Sequence, residues 1–382
     1  MMEVRKFMKL QRLWWALILL GTVYVSVRVV GLFLEPDLHD FRTYYFATEV
    51  AATGASPYDL EAVSVASGGT VVFPFFYPPH VLFLFKPFTV FGPDLAARIY
   101  LLLKVCALVG LMSIWTRFLP SERRLQGTAL LVLLVAGGFH EAAMIDLDTG
   151  NVSILEQLLL WAGFLWFIRG RYAAFAALTL AASLFKIFPI AFLGLLLFVP
   201  RRRGWPALAG GVVGFLAVHG LSFLTQRPLY EEFLGLTYAM NERGVMNPCT
   251  LAAVRDVFPG SQVVVVFGLT VLLVTGLFLE RVRRNRAVFQ PQTLIIGAVL
   301  LLTLAAPRMK DYSYVLLFLP AVLALLKYAE VRRPVAWGLG LLMFAGVLAY
   351  QSLLVALLLF LLWLRETPSL VPGLDSEGKG LV

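Results

Sequence analysis

The chain has 382 residues, 60% of them hydrophobic and 14% charged, with a formal net charge of +9. Apolar runs of about fifteen to twenty-five residues exclude a soluble protein, and helices are the economical way to bury such backbone where no water satisfies N–H and C=O groups. The basic residues sit in short clusters between these runs, as topology anchors do, so the positive charge does not point to nucleic acid.

The N-terminus, MMEVRKFMKLQRLWW, is basic and then apolar with no small-residue cleavage site after it, and reads as a retained first span, Leu13–Phe33. Leu95–Trp115, Val152–Phe167, Pro206–Leu224, Gln262–Leu279 and Thr293–Ala306 also qualify or nearly qualify as spans. Lys and Arg concentrate in Arg5–Arg12, Arg117–Arg124, Arg169–Arg171, Arg201–Arg203, Arg281–Arg286 and Lys327–Arg333, which places all of these on the cytoplasmic face. The acidic loop Leu34–Phe76 then faces out.

Two segments need separate treatment. Ala173–Val199 is apolar with Arg on both flanks, so it crosses twice, as a hairpin broken at Lys186-Ile187-Phe188-Pro189. Lys186 in such a segment is costly unless it faces a polar cavity, so it is expected to point into an outward-facing one at membrane depth. Phe73–Phe91 is too short and proline-rich for a clean span and reads as a juxtamembrane or re-entrant helix opened by Pro78-Pro79. The expected fold is an all-α polytopic integral membrane protein of about twelve crossings with both termini cytoplasmic, and the polar tail 366–382 is expected to be disordered.

With that topology the unusual polar residues converge on the outer face: Asp40, Tyr77, His80, Asp146, Asp148, Asn151, Lys186, Asn247, Arg308, Lys310 and Asp311. Phe41 to about Ala52 is predicted as an interfacial helix with Phe41, Tyr44, Tyr45, Thr48 and Ala52 on one face. Asp40 precedes it. There an aspartate is either an N-cap or, partly buried near the bilayer surface, a general base. Lys186, Arg308 and Lys310 supply positive charge suited to a phosphate leaving group, although a solvated loop or headgroup contact explains the last two equally well. Asp146 and Asp148 form an Asp-Leu-Asp loop pair that is a weak candidate for a divalent cation. Asn151 is placed to cap the helix after it, and Glu141 and Glu156 are expected to pair with cations or face the cavity. Structural roles are assigned to His39, His140 and His219, and Cys106 and Cys249 show no metal-ligand or disulfide spacing.

These loops resemble glycosyltransferase family 87, the polyprenyl-phosphate-mannose-dependent mannosyltransferases of the GT-C superfamily. The resemblance lies in the order of short motifs over roughly residues 13–330. Asp40-Phe41 with Tyr44-Tyr45, then Gly54 to Pro57-Tyr58-Asp59, looks like the family's first-loop signature. Phe76-Tyr77-Pro78-Pro79, Phe85-Lys86-Pro87, Gly150-Asn151-Val152-Ser153 and the Lys-x-x-Pro break at Lys186 follow in order, and Asn247-Pro248-Cys249-Thr250-Leu251 is a looser match. Ala306-Pro307-Arg308-Met309-Lys310-Asp311-Tyr312 departs from it, because Tyr312 and Ser313 stand where many relatives carry a histidine pair.

The resemblance implies a GT-C-like catalytic domain over 1–365, with interfacial helices in a first outer loop of about 34–79. It implies a multi-pass protein of the plasma membrane that moves one hexose, such as mannose, from a polyprenyl-phosphate-sugar to a lipid or glycan acceptor on the extracytoplasmic face. The reaction inverts the sugar carbon with Asp40 as base. Lys186, Arg308 and Lys310 are the expected phosphate contacts, and Tyr44, Tyr77, His80, Asn151, Asn247, Asp311 and Tyr312 the expected cavity residues. No cofactor is implied and a divalent metal is not expected. The partners are the donor, the acceptor and membrane lipids, with no nucleic acid. A flippase of lipid-linked sugars, or a non-catalytic polyprenyl-phosphate-binding protein, is the rival reading.

Overall fold

A computed structural model describes residues 2–239, 244, 247–285, 290–346 and 348–365. The tail from Glu366, expected to be disordered cytoplasm, lies outside the described residues. The structure is 81% helical, with no strand among the described residues. In chain order the helices are α1 (Met2–Leu34), α2 (His39–Ala52), α3 (Leu60–Ala66), α4 (Leu82–Phe85), α5 (Pro93–Trp115), α6 (Arg124–Gly137), α7 (Ala142–Thr149), α8 (Ser153–Ile168) and α9 (Tyr172–Phe185). They continue with α10 (Arg201–Thr225), α11 (Arg227–Ala239), α12 (Thr250–Val257), α13 (Gln262–Arg284), α14 (Pro291–Ala305), α15 (Phe318–Val331), α16 (Arg333–Phe344) and α17 (Gln351–Arg365). Short 3-10 segments at Pro79–Val81, Lys86–Val90, Phe188–Phe198 and Asp311–Leu317 fill breaks between them.

Among the described residues five helical runs are long and apolar enough to cross a membrane, or six if the bent pair Ser121–Gly137 and Ala142–Thr149 is one span. Their outward surfaces are apolar. Leu19, Leu20 and Val27 of α1, Leu216 and Leu224 of α10, and Val264, Leu269 and Leu272 of α13 are all exposed, as a lipid-facing surface requires. The protein is therefore a multi-pass membrane protein.

The break expected within Ala173–Val199 is present: α9 ends at Phe185, the 3-10 segment Phe188–Phe198 packs against it, and Lys186 between them is extended (φ −137°, ψ 135°). Between Phe73 and Phe91 the only helical stretch is Pro79–Val90, about 22 Å long at 3-10 and α-helical rises and short of the ~30 Å hydrocarbon core.

The chain divides into two compact units. The first comprises Met1–Val27, Met112–Met144 and Glu242–Val382. Its core stacks Phe139 against Tyr314 and Phe318, with Trp115 tilted onto Phe318. Gly297 lets α17 approach α14, since a Cβ there would meet the Trp363 ring at 2.2 Å. Trp363 in turn donates its indole N–H to the Thr293 carbonyl at 3.0 Å. The second unit comprises Arg28–Leu111 and Ile145–Asn241 and is built on α2, α5, α8, α9 and α10.

Candidate active site

In the second unit, α2 is clamped by its aromatic face. Phe41 stacks on Tyr100 at 4.6 Å, Tyr44 meets Tyr77 edge-on at 5.1 Å and lies 4.7 Å from Phe85, and the Tyr45 hydroxyl donates to the Phe91 carbonyl at 2.7 Å. Of the face predicted to carry Phe41, Tyr44, Tyr45, Thr48 and Ala52, the first four residues are buried and Ala52 is exposed. The helix begins two residues earlier than expected, at His39, and Asp40 lies in its first turn. The N-cap is Leu38, which offers no capping side chain. The N-cap reading of Asp40 is thereby corrected. Its carboxylate points away from the helix's own N–H groups, toward the turn between α7 and α8.

That turn reaches α2 because of Gly150. Its φ is +71°, a conformation that favours glycine, and a Cβ would stand 2.8 Å from Phe41 Cβ and 2.9 Å from Leu38 Cβ. The next residue, Asn151, is buried. Its Nδ2 donates to Asp40 Oδ2 at 2.7 Å and to the Tyr44 hydroxyl at 3.1 Å, with the Tyr77 hydroxyl at 3.4 Å. Its Oδ1 accepts from the Ser153 backbone N–H at 3.2 Å and from Ser153 Oγ at 3.0 Å. Asn151 does serve the start of α8 as the sequence suggested, and the other end of the same amide holds Asp40. Tyr44 and Tyr77 share a hydrogen bond at 2.9 Å. Tyr58, whose hydroxyl burial pushes well above its ordinary pKa, donates to the Tyr77 carbonyl at 2.7 Å. His39 Nε2 lies 3.8 Å from Asp40 Oδ1.

Lys186 enters from the break after α9. Its Nζ donates to Ser153 Oγ at 2.5 Å and lies 3.4 Å from Glu156 Oε2, so Glu156 pairs with a cation as expected. Three hydrogen bonds thus run from Lys186 through Ser153 and Asn151 to Asp40. Both end groups keep 22% of their side-chain surface exposed, whereas Asn151 and Ser153 between them are buried. His80, expected in the cavity, donates from Nε2 to the Leu184 carbonyl at 3.1 Å and so caps a group freed by the break at Lys186. Burial holds its imidazole below the usual pKa. His219 sits edge-on to His80 at 4.8 Å and bonds the Tyr230 hydroxyl through Nδ1 at 2.8 Å, consistent with a structural role.

Asp146 and Asp148 lie on α7, not in a loop, and their carboxylates do not converge. Residues two apart on a helix point to different faces. Asp146 is fully buried and pairs with the equally buried Lys104, Nζ to Oδ1 at 2.7 Å, while Asp148 pairs with Arg28 at 2.8 Å. Lys104 also donates to the Asp146 carbonyl, and Asp146 Oδ1 accepts the Ile154 N–H at 3.4 Å, so this pair stitches α5 to both ends of the Gly150–Asn151 turn. Sequence reasoning passed over Lys104 and Arg28. The signal was available, because each is a cation inside an apolar span, the criterion that singled out Lys186.

The remaining candidates lie in the first unit. Asn247 is buried, and its Oδ1 accepts the Met309 N–H at 2.9 Å. Cys249 Sγ donates to the Pro307 carbonyl at 3.0 Å, and the Tyr314 hydroxyl donates to the Pro248 carbonyl at 2.5 Å. These bonds bind residues 247–249 to the 307–314 segment. Arg308, Lys310, Asp311 and Tyr312 on that segment are half-buried, and Asp311 Oδ1 accepts the Tyr312 N–H at 2.8 Å.

Chemically, the second unit holds a carboxylate oriented by a neutral amide and a lysine tied to the same amide through one serine. A base and a fixed cation meet the needs of group transfer from an anionic leaving group to a hydroxyl. No curated protein matches the sequence. The model of glycosyltransferase family 87 matches residues 75–307, more than half of the chain, and takes in Tyr77, Asn151, Lys186 and Asn247 but not Asp40. The chain therefore belongs to glycosyltransferase family 87, and it is a membrane glycosyltransferase that uses a sugar donor and an acceptor.

Proposed function

We propose that this enzyme transfers a single hexose, mannose in the first instance, from a polyprenyl-phosphate-sugar to a lipid or glycan acceptor at the extracytoplasmic face of the plasma membrane. Asp40 takes the proton of the acceptor hydroxyl as its oxygen bonds to the anomeric carbon. The bond from that carbon to the phosphate oxygen breaks on the opposite side, and its electron pair leaves with the lipid phosphate. The configuration inverts. A phosphate ester needs no strong general acid to depart, so one base with cationic stabilisation suffices. Lys186 supplies that stabilisation, and Asn151, Tyr44 and Tyr77 set the position of the base.

The observation that carries this reading is the hydrogen-bonded chain from Lys186 through Ser153 and Asn151 to Asp40. Arg308 and Lys310 are further proposed phosphate contacts, and Asn247, Asp311 and Tyr312 proposed substrate residues, each to be tested by its own variant. The proposal includes a GT-C-like fold of twelve crossings, with the shorter apolar helices α8, α9, α14 and α17 among them, and cytoplasmic termini. It requires no metal or cofactor. Purified enzyme in nanodiscs should release polyprenyl phosphate only in the presence of both donor and acceptor. Transport of the intact donor without cleavage would instead support the flippase reading.

A further inference from the structure

Lys186 keeps 22% of its side-chain surface exposed and stands beside a buried carboxylate, as the fully buried Lys104 does. Lys104 is matched by Asp146 and Lys186 by Glu156. Glu156 lies on the first turn of α8, is 7% exposed, and its Oε2 meets Lys186 Nζ in a long ion pair of 3.4 Å that does not have the geometry of a good hydrogen bond. A buried carboxylate with such incomplete satisfaction is costly, so its presence calls for a reason beyond packing. Ser153 Oγ, which also accepts from Lys186, is neutral.

The charge of the ligand changes during the proposed reaction. The donor is a phosphodiester with one negative charge. The product is a phosphomonoester, and when its new oxygen is unprotonated it carries two. A lysine that stabilises the departing phosphate therefore binds the product more tightly than the donor, and without opposition it would retain it.

We propose that Glu156 is a positioning residue that competes with the lipid phosphate for Lys186 and so releases the product after sugar transfer. This inference rests on the reading of Lys186 as a phosphate contact. In the resting enzyme Glu156 holds Lys186, donor and product phosphates must each displace it, and this competition weakens retention of the product, the carboxylate regaining the ammonium as the product departs. No bond forms or breaks in this exchange beyond ion pairing.

The test is binding of a polyprenyl phosphate to purified protein in phosphatidylcholine nanodiscs, with initial rates of sugar transfer, for wild type, Glu156→Gln, Glu156→Asp and Lys186→Met. Glu156→Gln keeps the shape of the side chain and removes its charge. It should bind polyprenyl phosphate on the order of tenfold more tightly, the effect of losing one like charge near the ligand, and should lower kcat and donor KM together. Glu156→Asp, whose carboxylate is withdrawn by one methylene, should fall between wild type and Glu156→Gln. It provides the same test should the glutamine variant fail to fold. Lys186→Met should bind more weakly. Weaker binding in Lys186→Met with unchanged or weaker binding in the Glu156 variants would overturn the inference and leave the donor reading standing. Unchanged binding in Lys186→Met would overturn both.

Discussion

Asn151 donates a 2.7 Å hydrogen bond to one oxygen of Asp40, while its own carbonyl oxygen is held by the first residue of α8. The amide cannot rotate without losing bonds at both ends, so the orientation of the carboxylate is fixed by the fold. Removing it in Asn151→Ala should lower kcat by about 10²-fold with little change in KM, as loss of catalytic alignment does. The variant also loses the bonds to Ser153 and with them about 0.5–2 kcal/mol, so steady-state kinetics well below its melting temperature checks this. A rise in KM at unchanged kcat would assign Asn151 to substrate binding instead.

Gly150 makes that contact sterically possible. Gly150→Ala and Gly170→Ala place an alanine at nearly the same φ, +71° and +70°, but a Cβ at Gly170 meets nothing within 4 Å. Gly170→Ala should cost about 1 kcal/mol for the backbone alone. Gly150→Ala should cost about 1–3 kcal/mol more through overpacking against Leu38 and Phe41, with loss of activity as α2 is pushed away. Equal thermal shifts in the two variants would count against this close approach.

The Lys104–Asp146 pair is fully buried, so removing one partner strands the other. Lys104→Met should destabilise the protein by about 3–5 kcal/mol. The double variant Lys104→Met with Asp146→Asn should recover most of that loss, since the amide can still accept from the Ile154 N–H. A double-mutant cycle by denaturant titration in detergent measures the coupling.

Much of this arrangement was legible in the sequence, and the reasons for the rest are physical. Apolar runs in the sequence located four of the five long apolar helical runs among the described residues but not Asp311–Val331, while Val152–Phe167 and Thr293–Ala306 form shorter helices. A proline three residues after a lysine in an apolar segment located the break at Lys186. What a linear reading lacks is direction. Asp146 and Asp148 look like a ligand pair two residues apart, but the helix turns them toward different cations, Lys104 and Arg28. Asp40 looked like a cap because aspartate before a helix commonly is one, whereas the helix starts earlier and the residue becomes part of its first turn. The link from Asn151 to Asp40 spans 111 positions and depends on a glycine turn that no local pattern connects to α2.

Cys249 reports on the first unit. Its thiol is buried and donates to the Pro307 carbonyl, and burial raises its pKa above the ordinary value. A raised pKa means less thiolate at any given pH, so in a Cys106→Ser background alkylation near neutral pH should be slow and should accelerate as pH rises. Mass spectrometry of maleimide-treated protein follows it. Rapid labelling at neutral pH in the folded protein would show that the 247–249 segment is not bonded to 307–314 as described.

The most direct test of the account is sugar transfer by purified enzyme in nanodiscs, with polyprenyl-phosphate-mannose as donor and a lipid acceptor extract, for wild type beside Asp40→Asn. Asparagine can still accept the Asn151 bond but cannot take the acceptor's proton. Wild type should give glycosylated product, and the variant should lose at least about 10²-fold in kcat at unchanged stability and donor binding. Wild-type rates in Asp40→Asn would contradict it.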